Sequence, residues 1–247
     1  MNYKIIDKNF TQLILNIKQY FNNTNKTLFN KRNIIKLVDF NEKKYVIKSF
    51  KIPHFINKIV YNFFRDSKAK RSYENSLKLV KLNINTPKPI GYIEFNSILF
   101  FQDSYYVSEF FDYDFEIRDI FKNKNFENRN IILEKFVKFT LDLHQKGVYH
   151  IDYSPGNVII KKIDDNSFEF SIIDVNRMKF IEFDLDLRMK NFSKMTFDKD
   201  DNEYMIKLYS KLINIEYYIL KEKLDFYLNE QQKYLENKKK LKKLKGK

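Results

Sequence analysis

Between residues 27 and 50 the chain reads as extended. Two runs rich in β-branched and aromatic side chains, 33–40 and 44–50, flank Asn41-Glu42, and that arrangement predicts a hairpin. A basic, aromatic stretch follows from Ile52 to Arg65, expected to be helical after Pro53. Ser67 is placed to cap a second helix reaching about Leu82, with Ala69, Tyr73, Leu77 and Val80 at helical spacing. Thr86-Pro87-Lys88-Pro89 closes it, and two more extended runs, 90–95 and 97–101, lead into the aromatic segment 105–111.

The period then lengthens. Ile132, Phe136, Phe139 and Leu143 form an apolar stripe along residues 131–146, and Gly147 stands where a helix would stop. A loop over 149–156 is followed by a second hairpin, with strands at 158–163 and 168–173 and a turn at 164–167. From about residue 193 the pattern is mostly helical. A strand-rich first half joined by a short aromatic segment to a helix-rich second half is an α+β chain, expected to form two lobes around a cleft. No internal repeat appears.

Composition narrows the class. Of the 247 residues 43% are apolar and 17% aromatic, which is ample for a core and excludes disorder throughout. Apolar runs fall far short of the roughly 20 residues a spanning helix needs. Cysteine is absent, so there is no disulfide framework, thiol nucleophile or thiolate metal site. The first residues lack the long apolar stretch of a signal peptide, and a cytoplasmic location is expected. The net charge is +14, and half of it lies in residues 233–247, where eight lysines face one acid, Glu236. Such a tail attracts nucleic acid, anionic membranes and acidic partners alike, and a solvated helix end explains it equally well.

The chemistry concentrates in one segment. His150, Asp152 and Asn157 stand as H-x-D-x-x-x-x-N on a loop between a helix and a strand, and Asp174 follows within Ile172-Ile173-Asp174-Val175. Phosphoryl transfer needs these residue types: a carboxylate to orient and deprotonate an acceptor hydroxyl, and an amide oxygen and second carboxylate to hold magnesium. Each residue alone reads as an ordinary loop, turn or strand-end residue. Their order carries the information. The first half supplies a strand lysine, Val46-Ile47-Lys48, of the kind that holds nucleotide phosphates. Glu74 is the one acid between Ser67 and Ile93, and an ion pair with Lys48 is expected; a surface pair with Lys70 or Lys78 is the bland alternative. His150 is assigned to loop architecture.

In these motifs the chain resembles the lipopolysaccharide kinase family, the Kdo and heptose core-sugar kinases of the protein-kinase-like superfamily. The likeness runs from about Lys31 to Phe180, through Lys48, Ser67 to Glu74, Thr86 to Ile90, His150 to Asn157 and Asp174-Val175-Asn176-Arg177. The resemblance implies a two-lobed protein-kinase-like fold. Residues 1–108 would form the nucleotide-binding N-lobe, 109–232 the C-lobe with the catalytic loop and metal-binding hairpin, and 233–247 a Lys-rich tail. It implies ATP and Mg2+ as cofactors, Asp152 as the catalytic base, and Asn157 and Asp174 as metal ligands. Lys48, Glu74 and Glu109 would serve the nucleotide. The acceptor would be a sugar or glycolipid at the cytoplasmic face of a Gram-negative inner membrane.

The chain departs from that pattern. No glycine precedes Gly91, so a glycine-rich loop is missing, and Lys31 or Arg32 are candidates for the phosphates. Asp174 lacks a following Phe-Gly, and the 73 residues after it hold no Ala-Pro-Glu segment. Ser154 stands where Ser/Thr kinases carry lysine. These features favour a small-molecule or glycolipid acceptor over a protein. A kinase of another small molecule or protein, a silent pseudokinase and a nucleic-acid binder are the competing readings. Retention of Lys48, Asp152, Asn157 and Asp174 opposes the pseudokinase, and no nucleic-acid-binding motif is present. The basic tail, and an apolar face formed by Ile56, Ile59, Val60, Phe63 and Phe64, would provide peripheral contact with an anionic membrane; packing of that face on the kinase core explains it at least as well.

Overall fold

The computed structural model describes residues 1–31, 33–50, 66–96, 101–195 and 198–244. Arg32, the expected helix at 52–65, most of the expected strand at 97–101 and the last three residues of the tail lie outside the described residues. The chain forms two units. One comprises Met1–Asp112 with Ser171–Arg177; the other comprises Tyr113–Phe170 with Met178–Lys247.

The first unit is built on a six-stranded sheet. Its strands are β1 (Asn2–Ile5), β2 (Thr27–Asn30), β3 (Asn33–Phe40), β4 (Lys43–Phe50), β5 (Pro89–Asn96) and β6 (Phe101–Glu109), in the order β1-β5-β6-β4-β3-β2. Every neighbouring pair is antiparallel. The expected hairpin is β3–β4. Asn41 and Glu42 both take positive φ, 47° and 61°, as a two-residue turn matched to strand twist requires.

Strand parity sorts β4 onto two faces. Tyr45 and Ile47 join a core with α1 (Thr11–Leu15) and α2 (Ile17–Asn23), which contribute Leu13, Ile14, Ile17 and Phe21. Lys48 and Phe50 point the other way, toward α3 (Lys68–Lys81), where Phe50 packs with Ala69, Tyr73, Tyr92 and Tyr106. Ser67 caps α3 as expected, its hydroxyl accepting from the Lys70 N–H at 3.0 Å. The buried stripe differs by one position: Leu79 is buried and Val80 is 48% exposed. Buried Ser72 and Ser76 decide this, because they turn a small-residue face to the sheet and Ser76 meets the Tyr106 hydroxyl at 2.9 Å.

The second unit holds β7 (Phe115–Glu116), α4 (Ile117–Lys122), α5 (Arg129–Gln145), β8 (Val148–His150), β9 (Val158–Asp164) and the start of β10 (Ser167–Ile172). It continues through β11 (Met178–Phe180), α6 (Leu185–Phe192), α7 (Lys199–Ile213) and α8 (Tyr217–Leu244). α5 buries Ile132, Phe136, Val137 and Leu143, and Gly147 ends it at φ +70°. The division falls after Asp112, where 108 was expected, and residues 171–177 belong with the first unit. The lysines from 233 onward continue α8 through Leu244, so the tail is part of that helix.

At Gly91 the sheet leaves no room for a side chain. A Cβ there would lie 2.6 Å from the Lys4 carbonyl oxygen on β1 and 3.2 Å from side-chain atoms of Ile5 and Ile14. Gly91→Ala is expected to destabilise the chain by about 1–3 kcal/mol, the usual cost of overpacking. Urea unfolding measures it, and a stability equal to wild type would show that β1 yields freely.

Candidate active site

Within the first unit Lys48 and Asp174 meet, although 126 residues separate them. Lys48 Nζ donates to Asp174 Oδ1, and the lysine side chain is only 13% exposed. Asp174 sits in the left-handed region at φ 57°, a conformation aspartate tolerates better than most residues. Its segment is tied down on both sides. The Ile172 N–H donates to the Asn85 carbonyl at 3.0 Å, and the Thr86 hydroxyl donates to the Ile172 carbonyl at 2.8 Å. Asn75 Nδ2 donates to the Val175 carbonyl at 2.7 Å, and Asn176 Nδ2 to Asp174 Oδ1 at 2.7 Å.

Glu74 corrects an expectation. Lys48 takes Asp174 as its carboxylate, while Glu74 Oε1 lies 4.0 Å from Lys70 Nζ. The i,i+4 spacing on α3 places Glu74 beside Lys70, one turn earlier, and leaves Lys48 to Asp174. Glu109 ends β6, with its carboxylate 3.6 Å from Lys88 Nζ and its N–H on the Lys88 carbonyl at 2.9 Å. Burial, and after it the charge of Glu109, push the Tyr45 hydroxyl up from its usual pKa. Lys31 is exposed beside β2, its N–H donating to the Asn33 carbonyl at 3.3 Å.

Asp152 and Asn157 lie in the second unit, on the loop between β8 and β9. Tyr153 anchors that loop. Its ring is fully buried against Phe136 and its hydroxyl meets Thr140 Oγ1 at 2.8 Å. Asn157 Nδ2 donates to the Asp152 carbonyl at 2.8 Å, which ties the two ends of the loop together. Lys194, just after α6, donates its ammonium to the Ile151 carbonyl and stands 5.5 Å from the Tyr149 ring centroid. Burial pushes the Lys194 pKa down, and the negative charge of Asp152 opposes that shift.

A directed chain of hydrogen bonds reaches the same loop from the helices. Asn191 Nδ2 donates to the His150 carbonyl at 3.0 Å, so its Oδ1 faces His144 Nε2 at 3.2 Å and requires a proton there. His144 Nδ1 then accepts from the Tyr209 hydroxyl at 2.8 Å, and Tyr209 accepts from Arg188 at 2.9 Å. His144 is thereby a neutral, Nε2-protonated imidazole, and His150 is fully buried, as its architectural assignment anticipated.

Sequence comparison places this arrangement. The model of the lipopolysaccharide kinase (Kdo/WaaP) family matches residues 21–215. The chain belongs to this family. Its members are kinases, phosphotransferases acting on sugar hydroxyls. No curated protein matches the sequence. Among solved structures, "WaaP in complex with acyl carrier protein" is similar at TM-score 0.62 and 14% identity, covering 96% of this chain and 99% of that one. At that identity it supports the kinase-like fold.

Linear motifs gave no sign of Lys194, Asn191, His144 or Asn75, because each reaches its partner through tertiary packing. Only one hint existed: Ser154 left the catalytic loop without a lysine of its own. Burial drives the His144 pKa down to about 3 from an ordinary 6.5, with Arg188 adding to the shift. Between those values the unfolded chain binds the extra proton, so stability rises with pH up to about 6.5 and levels off above it. Moving from pH 6.5 to 5 is expected to remove about 1.6 kcal/mol through this group alone, the slope growing from half of about 1.4 kcal/mol per pH unit at 6.5 to nearly all of it at 5. Chemical denaturation of wild type and His144→Gln across that range checks it, and parallel pH dependences would refute the assignment.

Proposed function

We propose that the chain transfers the γ-phosphoryl group of ATP to a hydroxyl of a lipopolysaccharide core sugar, Kdo or heptose. The observation that supports this reading best is the loop that carries Asp152: the two backbone carbonyls just before that residue are held, His150 by Asn191 and Ile151 by Lys194. The acceptor oxygen attacks the γ-phosphorus, the bond to the β-phosphate oxygen breaks, ADP leaves, and Asp152 takes the hydroxyl proton. Lys194 fixes a positive charge beside Asp152 where Ser154 supplies none. Lys48 takes the nucleotide phosphates, with Glu109, Lys31 and Arg32 as further residues of the nucleotide site.

In this reading Asn157 and Asp174 would hold Mg2+, an amide oxygen and a carboxylate being donors of the kind magnesium takes alongside phosphates and water. When bound, the ion neutralises charge on the phosphate oxygens.

The acceptor in this reading is a sugar or glycolipid. The lysine-rich end of α8 gives the chain peripheral contact with an anionic inner-membrane surface from the cytoplasm, since no described helix is long and apolar enough to cross a membrane. The WaaP neighbour was solved with acyl carrier protein, and such a carrier is proposed as a further partner here.

Mass spectrometry of core oligosaccharide tests the reading directly. Cells deleted for the chain are expected to yield core lighter by one phosphate, restored by wild type and not by Asp152→Ala; an unchanged core would refute it. In vitro, Lys194→Met is expected to lower kcat by about 10²-fold or more with nucleotide affinity intact, the loss typical when a fixed charge or donor is removed. Lys194→Arg should recover part of that loss. Wild-type turnover by Lys194→Met would remove the lysine from the reaction.

A further inference from the structure

Lys48, which holds Asp174, and Lys68 converge on one aromatic ring in the first unit. Lys48 Nζ stands 5.4 Å from the Phe50 ring centroid, and Lys68 Nζ, at the first turn of α3, stands 6.0 Å from the same ring. Two ammonium groups thus approach the same buried ring, Phe50 being 3% exposed. Arg71 lies one turn beyond Lys68 on α3, and Arg177 closes the Asp174 segment. Ser67 holds the first turn of α3 in place, and the Ser72 hydroxyl donates to the Lys68 carbonyl at 2.8 Å.

We propose that Lys68, Arg71 and Arg177 join Lys48 in a polyphosphate cradle, which replaces the glycine-rich loop that the chain lacks. The proposal deepens the kinase reading and rests on it for the identity of the ligand as a nucleotide.

The electrostatics of the ligand-free chain support it. Burial lowers the Lys68 pKa; Arg177, Arg71 and Lys48 lower it further, and Asp174 alone raises it. Like charges gathered at a half-buried position oppose folding, and a bound anion reverses the sign of each of those interactions. A triphosphate carries several negative charges along a short chain, which matches a row of cations better than any single carboxylate does. Glycine-rich loops hold phosphates with backbone N–H groups. Side-chain cations reach the same ligand by charge and, from arginine, by paired donors. Asp174 keeps Lys48 in position within the cluster.

Titration calorimetry of the full chain with sodium tripolyphosphate, ATP and adenosine tests the cradle. Lys68→Met and Arg177→Gln are each expected to weaken tripolyphosphate and ATP by about tenfold or more, the usual scale of one charge-assisted contact. Adenosine affinity should stay unchanged, and Lys68→Arg should keep the wild-type phosphate affinity. The ligand-free Tm of Lys68→Met should equal or exceed wild type, because a repelled cation is gone. Undiminished tripolyphosphate affinity in both variants overturns the proposal, as does a lowered Tm with parallel loss of adenosine. Wild-type protein that binds tripolyphosphate through Lys68 yet phosphorylates no core sugar would refute the kinase reading and leave the cradle standing.

Discussion

The ion pair between Lys48 and Asp174 is the contact that joins the segment 171–177 to the sheet of the first unit. Strand parity puts Lys48 on the α3 face of the sheet, and the left-handed backbone at Asp174 brings a carboxylate to it from the far end of the sequence. That backbone conformation costs about 1–2 kcal/mol for a residue with a Cβ. The hydrogen bonds made by Asn75, Asn85, Thr86 and Asn176 contribute about 0.5–1.5 kcal/mol each and outweigh it together. The segment 171–177 is therefore a part of the first unit supplied by a later stretch of chain. Strain held by surrounding contacts is a common property of ligand-binding positions, since the geometry is set before the ligand arrives.

What the sequence disclosed follows the range of the forces involved. The β3–β4 turn, the Ser67 cap and the Gly147 helix end were legible because each is decided within a few residues by backbone sterics or one local hydrogen bond. The motif from His150 to Asn157 was legible because a loop between a helix and a strand needs no distant partner to be recognised. The partner of Lys48 was not. Two carboxylates, Glu74 and Asp174, were available in sequence, and only three-dimensional packing distinguishes them. α1, α2 and β1 left little trace, for helices of five and seven residues show barely two turns of any periodicity. The stripe on α3 erred at Val80 because hydrophobicity alone misses serines that are buried for their small size.

The second unit orders its loop by a different means. Its chain from Arg188 through Tyr209, His144 and Asn191 to the His150 carbonyl runs through a core in which His144 is neutral. Apolar residues of like volume would fill that space at less desolvation cost. They would not fix direction: each donor here meets one acceptor, and reversing any member leaves a buried group unpaired. The network therefore specifies one position for the backbone that carries Asp152. Lys194 adds a second constraint one residue later, at Ile151, and brings charge as well as position. A neutral chain and a charged lysine are complementary in this setting. The first holds the loop without altering its electrostatics, and the second places a positive charge near the Asp152 carboxylate.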